Sequence, residues 1–168
     1  MKWVIIIFVM CSLIGSMMWM MPSKREKAQE KLRARGRKLG FQVQLIRLTP
    51  PRARGELEPD AYNSAAYRLL RTNLKPQEKD QFNNWQVFRV NSEYNDGLVE
   101  GWSWAIGEGT LDAPHLELLN DVLVKMPKDV TSLESTPIHM SVFWDEREGE
   151  EQIDQFKTEL ERFIEAKF

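Results

Sequence analysis

Hydrophobic and polar positions divide this chain into one long uncharged run and a series of short alternating or periodic stretches. Trp3 to Met21 carries no charge. As a helix rising 1.5 Å per residue, those 19 residues reach about 28 Å, close to the thickness of a bilayer interior at about 30 Å. A helix satisfies its own backbone groups, so the pattern predicts an N-terminal transmembrane helix over residues 1–22. The run ends in Met17-Met18-Trp19-Met20-Met21-Pro22, which offers no small-residue cleavage site, so the anchor reads as uncleaved. Cys11 follows Met10 rather than a small residue, which argues against a lipoprotein signal. Trp3 and Trp19 lie near the two ends, where amphipathic rings favour the headgroup level.

Beyond the run, the patterning predicts a small α+β domain. Ser23 to Lys38 reads as a basic helix, with Ser23 as N-cap and Gly40 as its stop. Its apolar stripe is thin (Ala28, Leu32, Leu39), which predicts a helix lying on headgroups or standing in solvent. Phe41–Leu48 alternates as a half-buried strand, and Pro50-Pro51 breaks it. Ala65–Arg71 reads as a short strand or a helical turn, and Phe82–Val90 and Leu98–Ile106 read as strands joined around the hairpin signal Asp96-Gly97. Leu111–Met126 reads as a helix capped by Asp112, with Leu116, Leu119, Leu123 and Met126 on one face. Ile138–Trp144 reads as a strand. Glu150–Lys167 closes the chain as an amphipathic helix burying Ile153, Phe156, Leu160, Phe163 and Ile164. The order β-β-β-β-α-β-α predicts a mainly antiparallel sheet covered on one face by two helices. The expected division is an anchor over 1–22, a basic helix over 23–40 and an α+β domain over 41–168.

Charge is unevenly distributed. Residues 1–40 hold 9 Lys and Arg against 2 Asp and Glu, whereas 41–168 hold 14 against 23. Basic residues beside a spanning helix stay on the cytoplasmic side. The expectation is therefore a single-pass protein of a bacterial inner membrane, its short N-terminus outside and its C-terminal domain cytoplasmic. Lys24, Arg25, Lys27, Lys31 and Arg33 would meet anionic headgroups of the bilayer. An acidic domain is a poor partner for nucleic acid, which needs clustered cations. The lone Cys11 rules out an intrachain disulfide.

Residues that could carry chemistry are few. The histidines are His115 and His139, neither spaced as a metal ligand with a second His or Cys. The acidic run Asp145, Glu146, Glu148, Glu150, Glu151 lacks the pattern of a calcium loop and reads as a solvated turn. No catalytic, cofactor-binding or metal-binding residue is expected, and no cofactor. The aromatic residues say more. Phe88 and Phe143 point opposite to Trp85 and Trp144 within their own strands, so the sheet carries large rings on both faces. On a sheet covered on one side, rings on the second face are either a docking surface, with Phe88 and Phe143 its contact residues, or ordinary core and edge packing. In the apolar run, Cys11, Ser12, Gly15 and Ser16 put small side chains on neighbouring turns, where a second helix can approach.

Pro22, Lys24, Arg25, Lys27, Leu39, Gly40 and Val43 form a Pro-x-x-Lys-Arg-type stretch and a Gly-x-x-Val entry into a β-rich region. In these first 45 or so residues the chain resembles YajC, the accessory subunit of the bacterial Sec translocon. The glycine-rich strand of that family is missing, and the long β-then-α region has no counterpart in it. The whole chain is similar to gamma-proteobacterial single-pass inner-membrane proteins that carry the YajC label. That label is a name and not an activity. The expected function is a non-enzymatic, membrane-tethered interaction module, an accessory or assembly factor partnered with another membrane protein or complex such as a translocase. In it the helix localises the chain, the basic segment orients it and the α+β domain offers a docking face. The alternative reading is a membrane-anchored enzyme using carboxylate and Arg chemistry.

Overall fold

The computed structural model describes residues 2–19, 23–147 and 149–167, with side chains at all of these except 17–19. The chain forms two compact units, Met1–Lys31 and Leu32–Phe168.

The first unit holds α1 (Lys2–Trp19) and the start of α2 (Lys24–Lys38). Among the described residues no helix is long and apolar enough to cross a membrane, which corrects the expected transmembrane anchor. α1 opens on charged Lys2, and its described apolar side chains lie between Trp3 and Ser16. The inner-membrane location, the single-pass topology and the cytoplasmic placement of the C-terminal part rested on that anchor and are withdrawn with it. The expected break at Pro22 and the Trp19 side chain lie outside the described residues.

α2 begins and ends as its sequence predicts. Glu26 N–H donates to Ser23 Oγ and Ser23 N–H donates to Glu26 Oε2, a reciprocal cap. At the other end Gly40 has φ 97°, and the Phe41 and Gly40 N–H groups donate to the carbonyls of Gly36 and Arg37. A left-handed residue of this kind closes a helix at little steric cost when it is glycine. The expectation of a helix standing in solvent fails in its second half, however. Leu32 is 5% exposed, and Gly36 lies so close to the sheet that a Cβ there would meet the Tyr67 ring at 2.7 Å.

The second unit is built on a six-stranded, wholly antiparallel sheet. The strands are β1 (Gln42–Leu48), β2 (Tyr62–Leu70), β3 (Trp85–Phe88), β4 (Ser103–Ile106), β5 (Val130–Ser135) and β6 (His139–Trp144). Their order across the sheet is β1-β2-β6-β5-β3-β4. A short helix, α3 (Pro76–Asp80), follows β2, α4 (Ala113–Lys125) follows β4, and α5 (Glu151–Glu165) follows β6. Relative to the expected order, β5 and α3 are additional, and β3 and β4 are four residues each rather than nine. Arg89 ends β3 by turning back to donate to the carbonyls of Val130, Met126 and Pro127, while its guanidinium stacks 4.6 Å from the Trp102 ring. Val99 N–H is taken by Asn120 Oδ1 at 2.8 Å, which ties the connection to α4 instead of to the sheet.

The main core lies on the side of α4 and α5. Trp85, Val87, Leu133, Met140, Val142 and Trp144 from the sheet meet Leu119, Leu123, Ile153, Phe156, Leu160 and Phe163. Trp144 and Phe156 pack edge to face with centroids 5.1 Å apart, a favoured aromatic geometry. On the opposite side Phe88 and Phe143 join Leu48 and Ala66 in a smaller cluster, flanked by Ile46, Tyr62 and Val90.

Candidate functional site

Phe88 and Phe143 point to the second face as their alternation requires, but each is only 1% exposed. They fill a second small core and cannot serve as an open docking surface, which corrects their assignment as partner-contact residues. Apart from Leu70, the rows next to them on that face are polar. Arg68, Ser141 and Glu134 align in one cross-strand row, with His139 and Leu70 in the next.

His139 Nδ1 is the centre of this polar group. Ser141 Oγ lies 3.1 Å from it, Thr136 Oγ1 3.2 Å and Glu134 Oε2 4.0 Å. Ser141 Oγ also donates to Glu134 Oε2 at 3.3 Å. Burial, reinforced by the positive charge of Arg68, holds the His139 pKa below its ordinary value. Nucleophilic catalysis needs serine on one imidazole nitrogen and the orienting acid on the other. Here both sit at Nδ1, and Ser141 is fully buried, so the cluster organises the strand ends rather than presenting a nucleophile.

A second polar group joins α2 to the sheet. Arg33 Nε donates to Glu146 Oε1 at 2.8 Å and Nη2 to Oε2 at 2.6 Å, while Tyr67 OH donates to Oε1 at 2.8 Å. The Glu146 side chain is 2% exposed and its backbone is left-handed, φ 56°. Such a conformation is uncommon for a residue other than glycine and persists only where surrounding contacts hold it. Burial, together with the hydrogen bond to Glu146, drives the Tyr67 hydroxyl pKa far upward. The bond to Glu146 raises that of Arg33. Two residues on, Arg35 reaches Asp154 at 2.6 Å and Glu150 at 3.7 Å. Arg33, expected at a headgroup surface, is thus committed to an internal pair, whereas Lys24, Arg25, Lys27 and Lys31 are exposed. Glu146 had read as part of a solvated acidic turn; nothing in the local sequence marks it as the residue that turns inward.

A cleft of about 320 Å³ in the second unit is lined by Glu78, Phe82, Thr110, Asp112, His115 and Lys167, among others. Asp112 caps α4 by accepting from the His115 N–H, and the same carboxylate oxygen meets His115 Nδ1. Lys167 pairs with Glu78 at 3.2 Å, and Thr110 donates its hydroxyl proton to the Gly107 carbonyl. The charged groups therefore satisfy one another, and the hydroxyl is engaged away from any base. Among the described residues no group of three or more His, Cys, Asp or Glu side chains could hold a metal ion.

The first unit presents something different in kind. In α1, Trp3 is 77% exposed, Phe8 75%, and Val4, Ile5, Ile6, Ile7, Leu13 and Ile14 between half and three quarters. Cys11, Ser12, Gly15 and Ser16 fall within one side of the helix at 100° per residue. A Cβ built on Gly15 would meet nothing within 4 Å, and Ser16 Oγ bonds back to the Leu13 carbonyl. Comparison with protein-family models, curated proteins and solved structures finds no match to this chain.

Proposed function

We propose that this chain is a non-enzymatic interaction module, an accessory or assembly factor whose docking element is α1. The carrying observation is that α1 exposes apolar side chains on every side, from Trp3 through Ile14. A helix apolar all round is stable when it is buried in something larger. Leaving a side chain the size of Ile, Leu or Phe in water rather than burying it forgoes about 1.5–3 kcal/mol each. The small side chains at Cys11, Ser12, Gly15 and Ser16 mark the side on which a partner helix comes nearest. Exposed Lys24, Arg25, Lys27 and Lys31 in the first unit add a basic flank suited to acidic groups beside that docking site. The self-satisfied charges of the polar cleft fit this reading better than an enzymatic one.

Sedimentation of the full chain in its native assembly tests the proposal. The wild-type chain is expected to travel as part of a larger particle of defined size. Ile6→Glu and Phe8→Glu, each placing a charge in α1, are expected to release it as a free chain whose second unit melts at the wild-type temperature. Wild-type and variant chains sedimenting alike would refute the assignment of α1 as the docking element.

A further inference from the structure

We infer that the free edge of β1 is a strand-addition site for an extended polypeptide segment carrying an apolar and an acidic residue two positions apart. The two edges of the sheet differ. β4 is four residues long, its pairing to β3 is irregular, and its Trp104 N–H is already taken by the Tyr94 carbonyl at 2.6 Å. β1 is seven residues long and pairs with β2 in unbroken register from Gln42–Arg68 to Leu48–Tyr62. It contains no proline, and Arg47 is its one charge.

The direction of its backbone groups follows from the ladder. Arg71 N–H donates to the Ile138 carbonyl, so the odd-numbered residues of β2 face β6. The even-numbered residues of β2 then face β1, where they oppose Gln42, Gln44, Ile46 and Leu48. That leaves Val43, Leu45 and Arg47 with their N–H and C=O groups aimed outward. An extended backbone can pair with such a row in place of water, by adding a strand.

The side chains of the same three residues select the occupant. Leu45 is 65% exposed, and Arg47 is exposed with no acidic partner among the described residues. An antiparallel segment aligned here sets an apolar residue against Leu45 and an acidic one against Arg47, and opposite charges across strands attract. A second copy of the chain fits less well. Antiparallel self-pairing about Leu45 sets Arg47 against Val43, and residues 41–168 of both copies carry an excess of acid, 23 Asp and Glu against 14 Lys and Arg.

Amide exchange of the full chain in mild detergent, with and without excess heptapeptide Thr-Glu-Thr-Ile-Thr-Val-Thr, decides this inference independently of α1. The Val43, Leu45 and Arg47 amides are expected to exchange on the order of tenfold more slowly with the peptide, and less so with its Glu replaced by Lys. Leu45→Pro removes an N–H that bonds nothing in β2, so the variant is expected to fold and to abolish the slowing. Arg47→Glu is expected to reverse the preference between the two peptides. Unchanged exchange, or equal slowing by both peptides in wild type and Arg47→Glu alike, would overturn the inference. So would slowing that grows with protein concentration in the absence of peptide, which would give the edge to a second copy.

Discussion

Glu146 shows how a single side chain can fix the placement of a helix end. Its carboxylate accepts from Arg33 on α2 and from Tyr67 on β2, and the left-handed backbone at Glu146 aims it inward from the end of β6. Tyr67→Phe deletes one hydrogen bond to a charged group and leaves the Arg33 pair in place. A loss of about 1.5–3 kcal/mol is expected in denaturant unfolding; an unchanged midpoint would mean that the hydroxyl is dispensable. His139 makes a second residue-level case. Its folded pKa lies below the ordinary value, so the folded chain binds the proton less readily than the unfolded one. The stabilisation is fully present above the unfolded value of about 6.5 and declines as pH falls through it toward the lower folded value. Thermal stability is expected to drop over that window, and His139→Gln is expected to flatten the drop. A histidine NMR titration with its midpoint at or above the ordinary value would contradict this.

At the scale of elements, the second face of the sheet gives the clearest reversal. Alternation in the sequence correctly places Phe88 and Phe143 opposite Trp85 and Trp144. It carries no record of Leu48, Ala66, Tyr62 and Val90 gathering around them, because those residues come from strands and turns distant in sequence. Phe143→Ala is therefore expected to cost about 3–5 kcal/mol, as for any large core truncation. Ile138→Ala, at 61% exposure just before the start of β6, should change stability little. Equal, small effects would reopen the face as a surface. The helices were legible because caps and periodicity are local: Asp112, Ser23 and Gly40 each act within one turn of their own position. β5 was not legible. Thr131, Ser132, Glu134 and Ser135 mask its apolar positions, and Ser132 is buried only because its hydroxyl finds the Val87 carbonyl across the sheet. Gly36 was silent for the same reason, since its lack of a side chain matters only against Tyr67. Gly36→Ala ought to raise helix propensity by about 1 kcal/mol. The clash with a fully buried ring predicts the opposite sign, a lower melting temperature than wild type.

For the whole molecule, the two units divide the work. Leu32–Phe168 gathers its buried aromatic and aliphatic side chains in two clusters on either side of one sheet, leaving isolated residues such as Leu45, Leu57 and Val124 exposed. Met1–Lys31 contains α1, whose apolar side chains meet almost nothing. Length and apolarity of the N-terminal run were plain in the sequence, yet they were read as a membrane anchor, and the described helix falls short of that requirement. The account rests on α1 being covered by a partner protein. The most direct measurement places a photo-crosslinking residue at each position from Trp3 to Ser16 in turn, in the full chain within its native assembly, and maps the adducts. Protein adducts recurring with a helical period and strongest beside Cys11, Ser12, Gly15 and Ser16 are predicted. No protein adduct at any position, or yields no higher than from a probe at the exposed loop residue Leu57, would contradict the account.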